Sequence, residues 1–131
     1  MIVLDTHVIV WDALAAEKLS KAARANIEEA DKKGTLMICD ISLWEIAMLI
    51  KKQRIQIDET PANLIRTILE ARNYSLRTIS PEIAELSVNL ADEITNDPAD
   101  RLIAATSIIE NLPLVTADKN LRAAKAIKTI W

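Results

Sequence analysis

Five strand-like segments, each too short to be a helix, alternate with helical segments, and this alternation constrains the chain more than any other feature. Residues 1–4, 36–39, 76–79, 114–116 and 127–131 read as strands. Helices are expected over 6–15, 20–33, 42–52, 61–73, 81–94, 98–110 and 119–124. The dipeptides Thr60-Pro61, Ser80-Pro81 and Asp97-Pro98 each place a capping residue before Pro at the first helical position. Gly34, the only glycine, closes the second helix. Buried strands alternating with helices make an α/β fold, a parallel sheet covered on both faces.

The 131 residues suit one domain spanning 1–131, and with half of them hydrophobic such a chain buries roughly two thirds of its unfolded surface. One Cys rules out an internal disulfide and Cys-based zinc, and one His rules out multi-His metal centres. A single Gly leaves no glycine-rich phosphate loop. The start Met1-Ile2-Val3-Leu4-Asp5 lacks a basic leader, and no apolar run approaches the ~20 residues of a membrane span, so a cytoplasmic location is expected. The net charge of −3 argues mildly against gripping nucleic acid by bulk charge. The aliphatic surplus, without any Phe, is compatible with a self-association face.

In parallel sheets, ligands bind beyond the carboxyl ends of the strands. Asp5 follows the first strand, and Asp40 the second, with Glu45 one turn into the next helix. Asp97 and Asp100 open the helix before the fourth strand, and Asp118 follows that strand. Each has a local structural explanation. Ser42-Leu43-Trp44-Glu45 fits a capping box, Asp97 and Asp118 fit N-caps, and Asp100 suits a helix dipole. Capping does not explain why all of them converge on one edge. Crowded carboxylates repel, and hard oxygen donors without His or Cys suit Mg²⁺ or Mn²⁺.

The other polar and aromatic residues carry weaker signals. His7 reads as a first-turn or packing residue, Trp11 and Trp44 as core or interface, Trp131 as docked on the sheet, and Cys39 as a small buried hydrophobe. Lys51, Lys52 and Arg54 form a basic cluster, either solvated or holding phosphate, and Arg101 pairs with an acid or with phosphate.

Four motifs in order, Leu4-Asp5-Thr6-His7-Val8, Ser42-Leu43-Trp44-Glu45-Ile46-Ala47, Asp97-Pro98-Ala99-Asp100-Arg101-Leu102-Ile103-Ala104-Ala105 and Leu114-Val115-Thr116-Ala117-Asp118, resemble those of PIN-domain nucleases. Among these they look most like the VapC-type toxins of type II toxin–antitoxin systems. The resemblance spans essentially the whole chain. It implies a PIN-like α/β/α sandwich with a central parallel sheet of four to five strands. It also implies a Mg²⁺- or Mn²⁺-dependent endoribonuclease, a homodimer, and an antitoxin that blocks the site. The family's four acids carry over to Asp5, Glu45, Asp100 and Asp118, with Asp97 auxiliary. Thr6 and Thr116 match hydroxyl positions that support the acids, and Ser42 is expected to cap the helix and fix Glu45.

On this basis Asp5 and Asp100 hold the ion, while Lys51, Lys52, Arg54 and Arg101 are the candidates for contacting RNA. Two other acidic metal-binding α/β classes fit less well. A receiver domain needs an acid pair after the first strand and a Lys after the last. A dehalogenase-type phosphatase needs a second Asp where His7 stands.

Overall fold

The computed structural model describes residues 1–131. Five parallel strands form one sheet in the order β3-β2-β1-β4-β5: β1 Ile2–Leu4, β2 Leu36–Cys39, β3 Tyr74–Arg77, β4 Leu114–Val115 and β5 Thr129–Ile130. Between them run α1 Thr6–Leu14, α2 Lys21–Lys33, α3 Ile41–Lys51, α4 Pro61–Ala71, α5 Pro81–Asn89, α6 Pro98–Glu110 and α7 Lys119–Ala123.

Alternation along the strands divides the core in two. Ile2, Leu4, Leu36, Ile38 and Val115 face α1 to α4, packing on Val8, Ile9, Ile27, Ile46, Leu64 and Ile68. Val3, Met37, Cys39 and Leu114 face the opposite layer, packing on Ile83, Ile103, Ala104 and Leu121. The chain adds β2 and β3 to one side of β1, then crosses over and adds β4 and β5 to the other. The strand order therefore reverses between β1 and β4, where a crevice opens at the carboxyl ends of the strands.

The expected elements are present, and three of the shifts in their bounds are informative. β3 lies two residues earlier than 76–79, because its register pairs Leu36 with Tyr74 and Cys39 with Arg77. It is an edge strand, so Leu76 and Ile79, whose apolar character marked the expected run, stay exposed. α5 ends at Asn89 instead of continuing to residue 94. The guanidinium of Arg101 gathers the carbonyl oxygens of Ser87, Leu90 and Thr95, which holds the chain in a turn where the helix would have continued. α3 begins at Ile41, one residue before the expected start.

Gly34 caps α2 in the left-handed region at φ 66°, and Ser20, Thr60, Ser80, Asp97 and Asp118 cap their helices through their side chains. No helix is long and apolar enough to cross a membrane.

Candidate active site

Asp5 leaves β1 at the point where the strand order reverses. Its backbone N–H donates to the Val115 carbonyl at 3.1 Å, which fixes it beside the end of β4. Its carboxylate is buried and held at both oxygens. Oδ1 accepts from the Thr6 amide and Oδ2 from the Thr116 hydroxyl, each at 2.7 Å. The Thr116 hydroxyl also accepts from the Asp118 amide at 3.1 Å, so one side chain joins two of the acids. Burial pushes the Asp5 carboxyl up, and the Thr116 hydrogen bond opposes that shift.

Asp97 caps α6 by accepting from the Asp100 amide at 3.0 Å, which sets Asp100 one turn in and facing the crevice. Asp118 caps α7 through Oδ1, which accepts from both Asn120 and Leu121 amides at 2.9 Å. The capping roles read from the sequence are therefore real for Asp97 and Asp118, and they orient the carboxylates as well as stabilising helices.

Glu45 is different. Because α3 starts at Ile41, Ser42 lies inside the helix, is fully buried, and bonds to the Thr6 hydroxyl at 2.9 Å. The capping box is not formed, which corrects the expected role of Ser42: it ties α3 to α1 instead. Glu45 Oε1 is buried without a hydrogen-bond partner.

Glu45, Asp97 and Asp100 each bring an oxygen within 4.8 Å of the other two. Burial and then the negative charges of Asp5, Asp97, Glu45 and Asp118 push the Asp100 carboxyl up to about 8. Burial also raises Glu45, helped by Asp5 and Asp97. None of these five acids forms a salt bridge with a Lys or Arg. An orphaned buried oxygen among close carboxylates fits a hard divalent cation. Asp5 and Asp100 are the ion-holding pair expected from the sequence. The structure adds Asp97 to Glu45 and Asp100 in the tightest group, with Asp5 beside Asp100 on the adjoining wall.

A match to the model of the family described as PIN domain covers residues 2–127. The chain belongs to the PIN domain family. It is 36% identical to Ribonuclease VapC22 of Mycobacterium tuberculosis over 99% of this chain and 98% of that protein. The fold is similar to a chain of the Rickettsia felis VapBC2 complex bound to a promoter DNA fragment, with TM-score 0.72 and 21% identity over 98% of this chain and 97% of that one. It is also similar to a chain of the DNA-bound VapBC of Salmonella typhimurium, with TM-score 0.71 and 14% identity over 98% and 97%.

Two clefts of this PIN domain meet at His7. One of about 240 Å³ is lined by Asp5, Trp11, Asp100 and Asp118, and the other, of about 420 Å³, by Trp44, Glu45, Lys52, Arg54 and Asp97. Lys52 and Arg54 thus lie in the same cleft as two of the acids. Lys51 is exposed and does not line it. Arg101 is spent internally: its three nitrogens donate to backbone carbonyls, which corrects its expected place among the RNA contacts. His7 is exposed in the first turn of α1 with its ring 6.0 Å from Trp11, as its packing role predicts. Trp131 packs on Trp11 at 5.8 Å, but Trp44, 57% exposed, is not a core residue. The Thr95 hydroxyl, 3.5 Å from Asp100 and accepting from the Asp97 amide, was missed; no spacing signal in the sequence marks it.

Proposed function

We propose that this chain is a divalent-cation-dependent endoribonuclease and the toxin of a type II toxin–antitoxin pair. The observation that carries the reading is the group Glu45, Asp97 and Asp100, three carboxylates from two helices with no internal cation. Likeness to a ribonuclease along nearly the whole chain supports the substrate class. Likeness to chains of toxin–antitoxin complexes supports a cognate antitoxin as partner, and the aliphatic surplus supports a homodimer.

Glu45, Asp97 and Asp100, with Asp5 beside them, would hold Mg²⁺ or Mn²⁺. Such an ion supplies a water acidified at neutral pH and neutralises charge developing on the phosphodiester. The protein's own residues supply placement. Thr116 and the Thr6 amide hold both Asp5 oxygens, so that carboxylate cannot turn away from the crevice. The Thr6–Ser42 bond holds α1 and α3 together, which keeps Asp5 and Glu45 in register. Asp100 keeps its proton up to about 8 and would have to give it up to hold a cation, so occupation of the group would be coupled to pH. Lys52 and Arg54 offer positive charge to phosphates in the adjoining cleft.

Purified protein incubated with total RNA in Mg²⁺ or Mn²⁺ is expected to generate new 5′ ends at defined positions, and none in EDTA. Sequencing those ends reads activity, ion dependence and target together. Cleavage undiminished in EDTA, or no cleavage with either ion, would overturn the reading.

A further inference from the structure

Of the three tryptophans, two pack against each other, while Trp44 presents its ring to solvent at 57% exposure. It stands on α3 immediately before Glu45, on the wall of the 420 Å³ cleft. Lys52 and Arg54 line the same cleft, and neither side chain is held by a carboxylate or a carbonyl of this chain. A free aromatic face, two free cations and two of the clustered acids, Glu45 and Asp97, therefore share one groove.

We propose that Trp44 is a base-stacking platform: it seats a nucleobase next to the scissile phosphodiester while Lys52 and Arg54 hold the phosphates on that side. The inference rests on the ribonuclease reading above and extends it to the residue that sets substrate position. Stacking on an aromatic face combined with a cationic track is how single strands are held with little sequence preference. The acids make the rest of the crevice repel phosphate, so cations grouped beside Trp44 define the side on which the strand enters.

A second copy of the chain is a weaker occupant for this wall. A dry protein interface over Trp44 would have to desolvate Glu45, Lys52, Arg54 and Asp97 around it. RNA instead brings the charges that pair with the two cations.

The test uses the full chain carrying Asp100→Asn to prevent cleavage, with a fluorescein-labelled mixed-sequence oligoribonucleotide in Mg²⁺ as probe. Adding Trp44→Ala is expected to weaken binding on the order of 10-fold and to remove most of the tryptophan quenching that accompanies binding. Trp44→Tyr, which keeps an aromatic face, is expected to retain most of the affinity, a rescue that loss of folding would not show. Sedimentation of both variants is expected to give the parent's mass. Unchanged affinity in Trp44→Ala overturns the platform, as does a fall in mass with affinity intact, which would assign this wall to a second copy. Wild-type protein that cleaves RNA, with Trp44→Ala cleaving at the same KM, sinks the platform and leaves the nuclease standing. Wild-type protein that neither binds nor cleaves RNA sinks both.

Discussion

Carboxylates crowd together in two places in this molecule, and the two places are built on opposite principles. Around Arg72, Asp12 accepts two parallel hydrogen bonds at 2.9 Å, with Asp31 and Glu28 at 3.0 and 3.1 Å, so one guanidinium serves three acids. There the Asn73 amide and then Arg72 hold Asp31 below its usual range. At the carboxyl edge of the sheet, Glu45, Asp97 and Asp100 face one another, and Asp100 is raised to about 8. The first cluster completes its own charge and serves to join α1, α2 and the start of β3. The second leaves its charge to be completed by something bound. On the proposed function, comparing them separates acids that stabilise from acids that cost stability for the sake of chemistry.

Asp100→Asn is expected to break the second cluster most sharply. RNA cleavage should fall by at least about 100-fold, since a carboxylate that holds the cation contributes several kcal/mol to the transition state. Stability should move the other way. In the unfolded chain Asp100 titrates at its ordinary 3.8, in the folded protein at about 8. Between those values folding takes up a proton, so the stability of cation-free protein falls as pH rises through this window, and above about 8 the loss is complete. Wild-type Tm in EDTA is thus expected to be higher at pH 5 than at pH 8, with added Mg²⁺ restoring it at pH 8. Asp100→Asn should flatten that slope and melt higher than wild type at pH 8. A wild-type Tm that is flat or rises from pH 5 to pH 8 in EDTA would contradict the account.

Arg72→Met is the converse experiment. The side chain is 18% exposed, and its removal leaves Asp12, 8% exposed, without its main partner. Loss of about 2 kcal/mol is expected in urea unfolding, below the figure for a fully buried pair because Glu28 and Asp31 reach solvent. The folded fraction should cleave RNA at the wild-type rate. A drop in kcat at temperatures where the variant is fully folded would show that the two clusters are coupled.

The sequence made the sheet legible where burial is complete. Leu36–Cys39 is apolar throughout because both of its faces are covered, whereas β3 lies at the edge and carries no such run. The acids were legible because strands end at them. Their local roles were harder to read, since a capping signal reads the same whether or not the helix begins there. Ser42 matched a capping box, but the helix starts one residue earlier; Ser42 is turned inward, and Glu45 Oε1 is left without a hydrogen-bond partner. Arg101 and Trp44 depend on contacts across the fold. Arg101 finds three carbonyls in the last turn of α5 and the segment that follows it, and Trp44 stays more than half exposed. No spacing along the chain encodes either outcome.

Thr116→Val should give the smallest effect, and it sharpens the comparison. The change keeps the shape of a fully buried side chain but removes the donor to Asp5 Oδ2 and the acceptor of the Asp118 amide. At the Arg72 cluster the loss of one hydrogen bond leaves others in place. At Asp5 it leaves a buried carboxylate oxygen without a partner. A stability loss of about 1 kcal/mol is expected from the hydrogen bond itself. Because the hydroxyl lowers the Asp5 pKa, its removal should raise that pKa further and shift the acid limb of the pH–rate profile to higher pH. Cleavage at neutral pH is expected to fall about 10-fold, with part of the loss recovered as the pH is raised. A purely structural role for Thr116 would lower the whole profile without moving its acid limb. Thr116→Ser, which restores the hydroxyl and loses only a methyl group, should return the limb to its wild-type position.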